Sequence, residues 1–135
     1  MVSLADILNA KILVVDEQSL ERFLLAHMLE STGYLVGTAA TCAEAYDKCC
    51  GEQFDAITFG QVRQDGLGWE GLLRIRSLES HRNVPVIVIY GCELPDLEIP
   101  AGAQGLLTKP VRPEHLLGAL EQIGVPIKIQ GGANG

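Results

Sequence analysis

Two acids stand side by side at Asp16 and Glu17, directly after the apolar run Lys11-Ile-Leu-Val-Val15. Adjacent carboxylates at a strand end can hold a hard cation such as Mg²⁺, which prefers oxygen ligands. They also occur in ordinary solvated turns, so the pair alone decides little. Lys109, before Pro110, is as ambiguous by itself. No Ser/His/Asp or Cys/His set gathers elsewhere, and His27, His81 and His115 fall on expected helices or their flanks, where surface roles are the norm. Cys42, Cys49, Cys50 and Cys92 form no CxxC and have no His at zinc-ligand spacing. Reduced thiols in a cytoplasmic protein are therefore expected, with Cys49-Cys50 packing a helix end.

The elements that must position these groups follow from hydrophobic period and punctuation. Residues 11–15 read as a strand buried on both faces. Ser19 is placed to cap a helix to about Ser31, with Leu20, Phe23, Leu24 and Met28 as its apolar face, and Gly33 suits the left-handed stop. Residues 34–39 form a second strand. Thr41-x-x-Glu44 is a capping box for a helix ended by Gly51. Residues 54–59 form a third, buried strand, and Gly60 to Gly68 a polar loop. A helix to about Leu78 turns Leu72, Leu73 and Ile75 inward. Val86-Ile-Val-Ile89 is a fourth strand, because four successive β-branched residues fit little else. Residues 105–108 make a fifth, and Pro113 opens a last helix with Leu116, Leu117, Leu120 and Ile123 buried.

Strands alternating with helices imply right-handed βαβ units. The expected fold is α/β and flavodoxin-like: a doubly wound, five-stranded parallel sheet of order 2-1-3-4-5. Three parts are expected: a short leading helix or extension over 1–10, the domain over 11–123, and a glycine-bearing tail over 124–135. Function in such sheets gathers at the carboxyl ends of the strands, which brings together 16–18, 60–62, 90–92 and 109–110.

A chain of 135 residues, 47% apolar and 20% charged, has the composition of one globular domain. A net charge of −7 with scattered basic residues argues against nucleic-acid binding. No stretch approaches the ~20 apolar residues of a membrane span, and the first ten residues lack the features of a signal peptide.

With these elements in place, the sequence resembles the receiver domains of bacterial two-component response regulators. The resemblance covers about 11–123. It is carried by Ile-Leu-Val-Val-Asp-Glu at 12–17, Phe-Asp-Ala-Ile at 54–57, Gly68, and Leu72-Leu-Arg-Ile-Arg76. It continues through Pro85-Val-Ile-Val-Ile89, Ala101-Gly-Ala103 and Leu107-Thr-Lys-Pro110. It implies a signalling domain, not an enzyme, in which an aspartate at the end of the third strand accepts a phosphoryl group. The acid pair would hold Mg²⁺ there, while a lysine and a Ser/Thr contact the phosphoryl oxygens.

The departures from that pattern matter more than the match. Gly60 stands at the acceptor position, in a register fixed by Gly68, and offers no nucleophile. Tyr90 replaces the hydroxyl residue, Leu106 the switching aromatic, and Gln64-Asp65 the usual Pro-Gly. Asp16, Glu17 and Lys109 are then expected to line a vestigial acidic pocket in which Lys109 pairs with Asp16 and the Tyr90 ring leans toward Gly60. No cofactor is expected there, and Mg²⁺ at Asp16 and Glu17 only weakly. Pro95 and Pro100 leave room for at most one turn of the helix between the fourth and fifth strands. Leu94, Leu97 and Ile99 become candidates for an interaction surface. The expectation is a pseudo-receiver working independently of phosphorylation through a protein partner in a signalling pathway, with a homodimer as a further mode. One alternative is a phosphoryl-accepting receiver that uses a displaced acceptor such as Asp65. Another is a flavodoxin-like enzyme or nucleotide-binding protein, which would need a glycine-rich phosphate loop where Asp16-Glu17-Gln18 stands.

Overall fold

The structure, a computed structural model, describes residues 10–60, 70–91 and 99–125. The expected leading helix, the loop carrying Asp65, most of the proline-bounded segment with Leu94 and Leu97, and most of the tail lie outside the described residues.

Five parallel strands form the sheet: β1 (Lys11–Val15), β2 (Leu35–Ala39), β3 (Ala56–Gly60), β4 (Val86–Tyr90) and β5 (Gly105–Thr108). Their order is β2-β1-β3-β4-β5, as expected. Every residue of β3 and β4 is buried, which is why these central strands read as unbroken apolar runs. Four helices cover the described sheet: α1 (Ser19–Ser31), α2 (Cys42–Gly51), α3 (Glu70–Arg76) and α4 (Pro113–Gln122), with a single 3₁₀ turn at Glu79–His81.

The alternation of side chains along each strand divides the core in two. Leu13, Val15, Ile57, Phe59, Val86, Val88 and Tyr90 pack with Cys42, Ala45, Leu72 and Ile75 of α2 and α3. Ile12, Val14, Ala56, Ile87 and Ile89 pack with Leu25 and Leu29 of α1 and with Leu116 and Leu120 of α4.

Several local signals behave as expected. Thr41 Oγ1 accepts from the Glu44 amide at 3.1 Å, while Glu44 Oε1 accepts from the Ala40 amide at 2.7 Å. Gly33 has φ 103, the left-handed conformation that a glycine tolerates after a helix. In α4, Leu116 and Leu120 are buried, and Leu117 and Ile123 pack at the edge of the same cluster.

Others differ. Gln18, not Ser19, is the N-cap of α1, and its side chain makes no capping bond. The buried face of α1 is Leu25, Ala26 and Leu29; Leu20 and Phe23 are each 66% exposed and Leu24 is 41% exposed. The helix carries two apolar stripes, and periodicity alone does not choose between them. The chain's exit from β1 does. Arg22 Nη1 donates to the Asp16 carbonyl at 2.7 Å, and the Arg22 amide bonds the Gln18 carbonyl at 2.9 Å, so the rotation of the first turn is set from the strand end. Leu73 of α3 is likewise outward, at 51% exposure.

Candidate functional site

The strand register builds the site. Val15 lies beside Phe59, so the next residues, Asp16 and Gly60, come together at the carboxyl edge. Gly60 also pairs with Ile89, which places Tyr90 just beyond it. On the far side Tyr90 pairs with Thr108, and the Lys109 amide donates to the Tyr90 carbonyl at 3.0 Å. Lys109 therefore enters from the end of β5, before a cis bond to Pro110.

Asp16 is 2% exposed, and each of its carboxylate oxygens is engaged. Oδ1 accepts from the Gln18 amide at 2.9 Å. Oδ2 lies 3.0 Å from Lys109 Nζ, whose side chain is 13% exposed. That second contact is an ion pair whose angle falls outside good hydrogen-bond geometry, so charge rather than direction holds it. Lys109 Nζ also reaches Gln18 Oε1 at 3.4 Å, a long contact of minor weight. The ends of β1 and β5 and the start of α1 are thus tied through one carboxylate.

Gly60 is where the carboxylate finds room. A Cβ placed on Gly60 would stand 2.8 Å from Asp16 Oδ2, 3.1 Å from Asp16 Cγ and 3.1 Å from the Val15 carbonyl oxygen. The three atoms nearest that Cβ position belong to Asp16 and Val15 rather than to Tyr90. Tyr90 is 8% exposed and packs in the α2–α3 half of the core, on the opposite face of its strand from Ile89. Glu17 is half-buried beside the pocket. Leu106 is partly buried against the same half-core as Tyr90. Ile99 is 51% exposed and lines a groove with Gln104, Leu106 and Leu107 of the β5 region and Ile123 after α4.

At the opposite edge of the sheet, sequence reasoning missed a second polar cluster. His81 is fully buried. Its Nε2 accepts from the Phe54 amide at 3.3 Å, and Nδ1 lies 2.7 Å from Ser80 Oγ. The acceptor role at Nε2 assigns the proton to Nδ1, with Ser80 Oγ accepting it. Burial, and then the nearby Arg76 charge, push the His81 pKa below its ordinary value of 6.5. Arg76 donates to the Gly102 carbonyl at 3.0 and 2.7 Å, to the His81 carbonyl at 3.0 Å and to Gln104 Oε1 at 2.9 Å. Gln104 Oε1 in turn accepts from the Val86 amide at 2.8 Å. Burial also pushes the Cys49 thiol up to about 12, helped by the charges of Cys50 and Glu52, which makes it a packing group rather than a nucleophile.

This fold, with an acid and a lysine meeting at the carboxyl edge of a 2-1-3-4-5 sheet, defines a class. The chain belongs to the response regulator receiver domain family, whose family model matches residues 12–121. It is 32% identical over 123 residues to the cyclic di-GMP phosphodiesterase response regulator RpfG of Xanthomonas campestris pv. campestris, covering 81% of this chain and 30% of that protein. The chain thus spans less than a third of that relative. Among solved structures it is similar to the chemotaxis protein CheY4 of Vibrio cholerae, with TM-score 0.75 and 29% identity over 85% of this chain and 98% of that one. The receiver domain of sensor histidine kinase PA1611 from Pseudomonas aeruginosa PAO1, described with magnesium coordinated in its active site cleft, gives TM-score 0.76. It is 26% identical, over 86% of this chain and 98% of its own. Among the described residues no helix is long and apolar enough to cross a membrane.

Proposed function

We propose that this receiver domain signals without being phosphorylated, as a pseudo-receiver that acts through protein–protein contact rather than as an enzyme. The observation that carries the reading is the room at Gly60. The acceptor position has no side chain, and the Asp16 carboxylate lies in close contact with the point where one would begin, 2.8 Å from the Cβ position. A phosphoryl group needs an attacking oxygen at that point, and glycine has none.

The donor set does not fit magnesium in the way a receiver holds it. One Asp16 oxygen is taken by an amide and the other faces an ammonium, and the third strand contributes no carboxylate. Mg²⁺ requires near-octahedral oxygens and gives up water reluctantly. Weak binding at best is expected, and no other cofactor. The proposed pocket residues are Asp16, Glu17 and Lys109, with Gly60, Tyr90 and Leu106 as the altered acceptor and switch positions.

The interaction surface in this reading comprises Leu94, Leu97 and Ile99, of which Ile99 lines the groove beside β5 and α4. The exposure of Ile99 supports it, as does the apolar lining by Leu106, Leu107 and Ile123. The partner is proposed to be a protein of a cytoplasmic signalling pathway, and the working unit to be residues 11–123.

Incubation with a small phosphodonor and Mg²⁺, followed by intact-mass measurement, tests the proposal. The expected spectrum is unchanged. A gain of one phosphoryl group would show that another residue, such as Asp65, accepts it.

A further inference from the structure

We propose that the ammonium of Lys109 is the resident cation of this site, and that the glycine at position 60 is what allows it to be. The proposal deepens the reading above in that it rests on the absent acceptor, but it does not depend on phosphorylation independence.

A carboxylate as buried as Asp16 is costly unless a positive group compensates it. A receiver site meets that need with a divalent ion. Here Lys109 Nζ, 3.0 Å from Oδ2 and itself largely buried, supplies the charge from within the chain. An external cation binding at Oδ2 would have to stand within a few ångströms of that ammonium, where like charges repel strongly in a partly desolvated pocket. Oδ1 offers no easy way round, because the Gln18 amide holds it at 2.9 Å.

Gly60 completes the arrangement. The Cβ position there is 2.8 Å from Oδ2 and 3.1 Å from the Val15 carbonyl, and the second contact is backbone that a rotamer change cannot relieve. A side chain at 60 therefore requires the Asp16 carboxylate to shift, and that shift strains its pair with Lys109. The two departures from a working receiver, a missing acceptor and a self-neutralised acid, are therefore one structural change.

The test is calorimetric titration of the full chain with Mg²⁺ and Mn²⁺, alongside thermal melts with and without the metal. Lys109→Met removes the resident charge while keeping Asp16 and Glu17. It is expected to bind either ion about tenfold or more tightly than the unaltered chain, the scale on which groups beside a ligand tune metal affinity. Its melting temperature is expected to rise with added metal, as linkage requires. Adding Asp16→Asn to Lys109→Met is expected to abolish the gain. Equal affinity in Lys109→Met and the unaltered chain overturns the proposal, as does sub-millimolar binding by the unaltered chain or a gain that survives Asp16→Asn.

A second measurement does not require Lys109→Met to fold. Gly60→Ala is expected to lower the urea midpoint in the unaltered chain, and much less so in an Asp16→Ala background, where the crowded carboxylate is gone. Equal shifts in both backgrounds overturn the proposal. A phosphoryl gain in the mass experiment would end the phosphorylation-independent reading and leave these metal and stability results standing.

Discussion

The two edges of the sheet solve the same problem in opposite ways. At the carboxyl edge, Asp16 is buried as a charge and held by another charge, Lys109. At the amino edge, His81 is buried as a neutral ring that accepts from the Phe54 amide, with Ser80 Oγ beside its other nitrogen. Arg76 there stays cationic but spends its donors on carbonyls and an amide oxygen, with no carboxylate among the partners given above. A neutral ring such as His81 is buried at a smaller desolvation cost than a charge and gains directional hydrogen bonds. An ion pair carries a large desolvation cost and is sensitive to the loss of either partner. The amino edge is thus suited to fixing loops, and the carboxyl edge is a charged site turned inward on itself.

Removing one partner from each edge puts the comparison to a direct test. Lys109→Met leaves Asp16 as an uncompensated buried carboxylate and is expected to cost about 3 kcal/mol of unfolding free energy in urea. His81→Leu leaves the Phe54 amide without its acceptor inside the core, at an expected cost of about 2 kcal/mol. If His81→Leu proved the more damaging, the neutral network would be the principal polar anchor and the contrast would reverse.

The amino edge carries a response to acid. The folded-state pKa of His81 is lowered by burial and by Arg76, so the unfolded chain binds the proton more readily. Stability tied to His81 is then fully present above the ordinary value of 6.5 and declines as pH falls below it toward the lowered folded value. Burial and Arg76 on α3 both oppose the charging of the ring, while Glu79 on the 3₁₀ turn is the nearby acid in sequence. Lys11, which lies 5.9 Å from the centre of the Phe54 ring, is paired to Glu52 instead. Urea midpoints measured from pH 7.5 downward are expected to fall more steeply for the unaltered chain than for His81→Gln. Parallel curves would place the acid sensitivity elsewhere.

How much of this was legible in the sequence depends on whether a residue's role is set by its own element or by one far along the chain. The strands, their order and the meeting of Asp16, Gly60 and Lys109 follow from runs and punctuation that each segment carries locally. The Thr41–Glu44 capping box does too. His81 does not, because its place depends on Phe54 before the neighbouring strand, far away in sequence, and nothing in the Ser80-His81-Arg82 stretch signals that contact. Arg76 was visible as part of a motif, but its partners at Gly102 and Gln104 come from another loop. The approach of Asp16 to Gly60 was beyond sequence as well: the glycine was plain, but that the Asp16 carboxylate would lie nearest its Cβ position was not.

The smallest expected effect sharpens the same lesson on α1, where two apolar stripes compete. Phe23 is large and apolar, yet 66% exposed, and its ring stacks on that of His27 at 6.2 Å between centroids. Leu29, six residues on, is fully buried against Ile12 and Val14 on the α4 side of the sheet. Leu29→Ala should therefore cost about 2–5 kcal/mol, the range for a core leucine that leaves a cavity. Phe23→Ser should move the urea midpoint by no more than about 0.5 kcal/mol, as for a surface change. Composition and period rank these two residues the wrong way round, because they register how apolar a side chain is and not how the helix is rotated. That rotation is set by the Asp16 turn through Arg22 and Gln18, so a large effect at Phe23 would mean that α1 sits otherwise on β1. The geometry drawn for the carboxyl edge, which starts from the same turn, would then have to change with it.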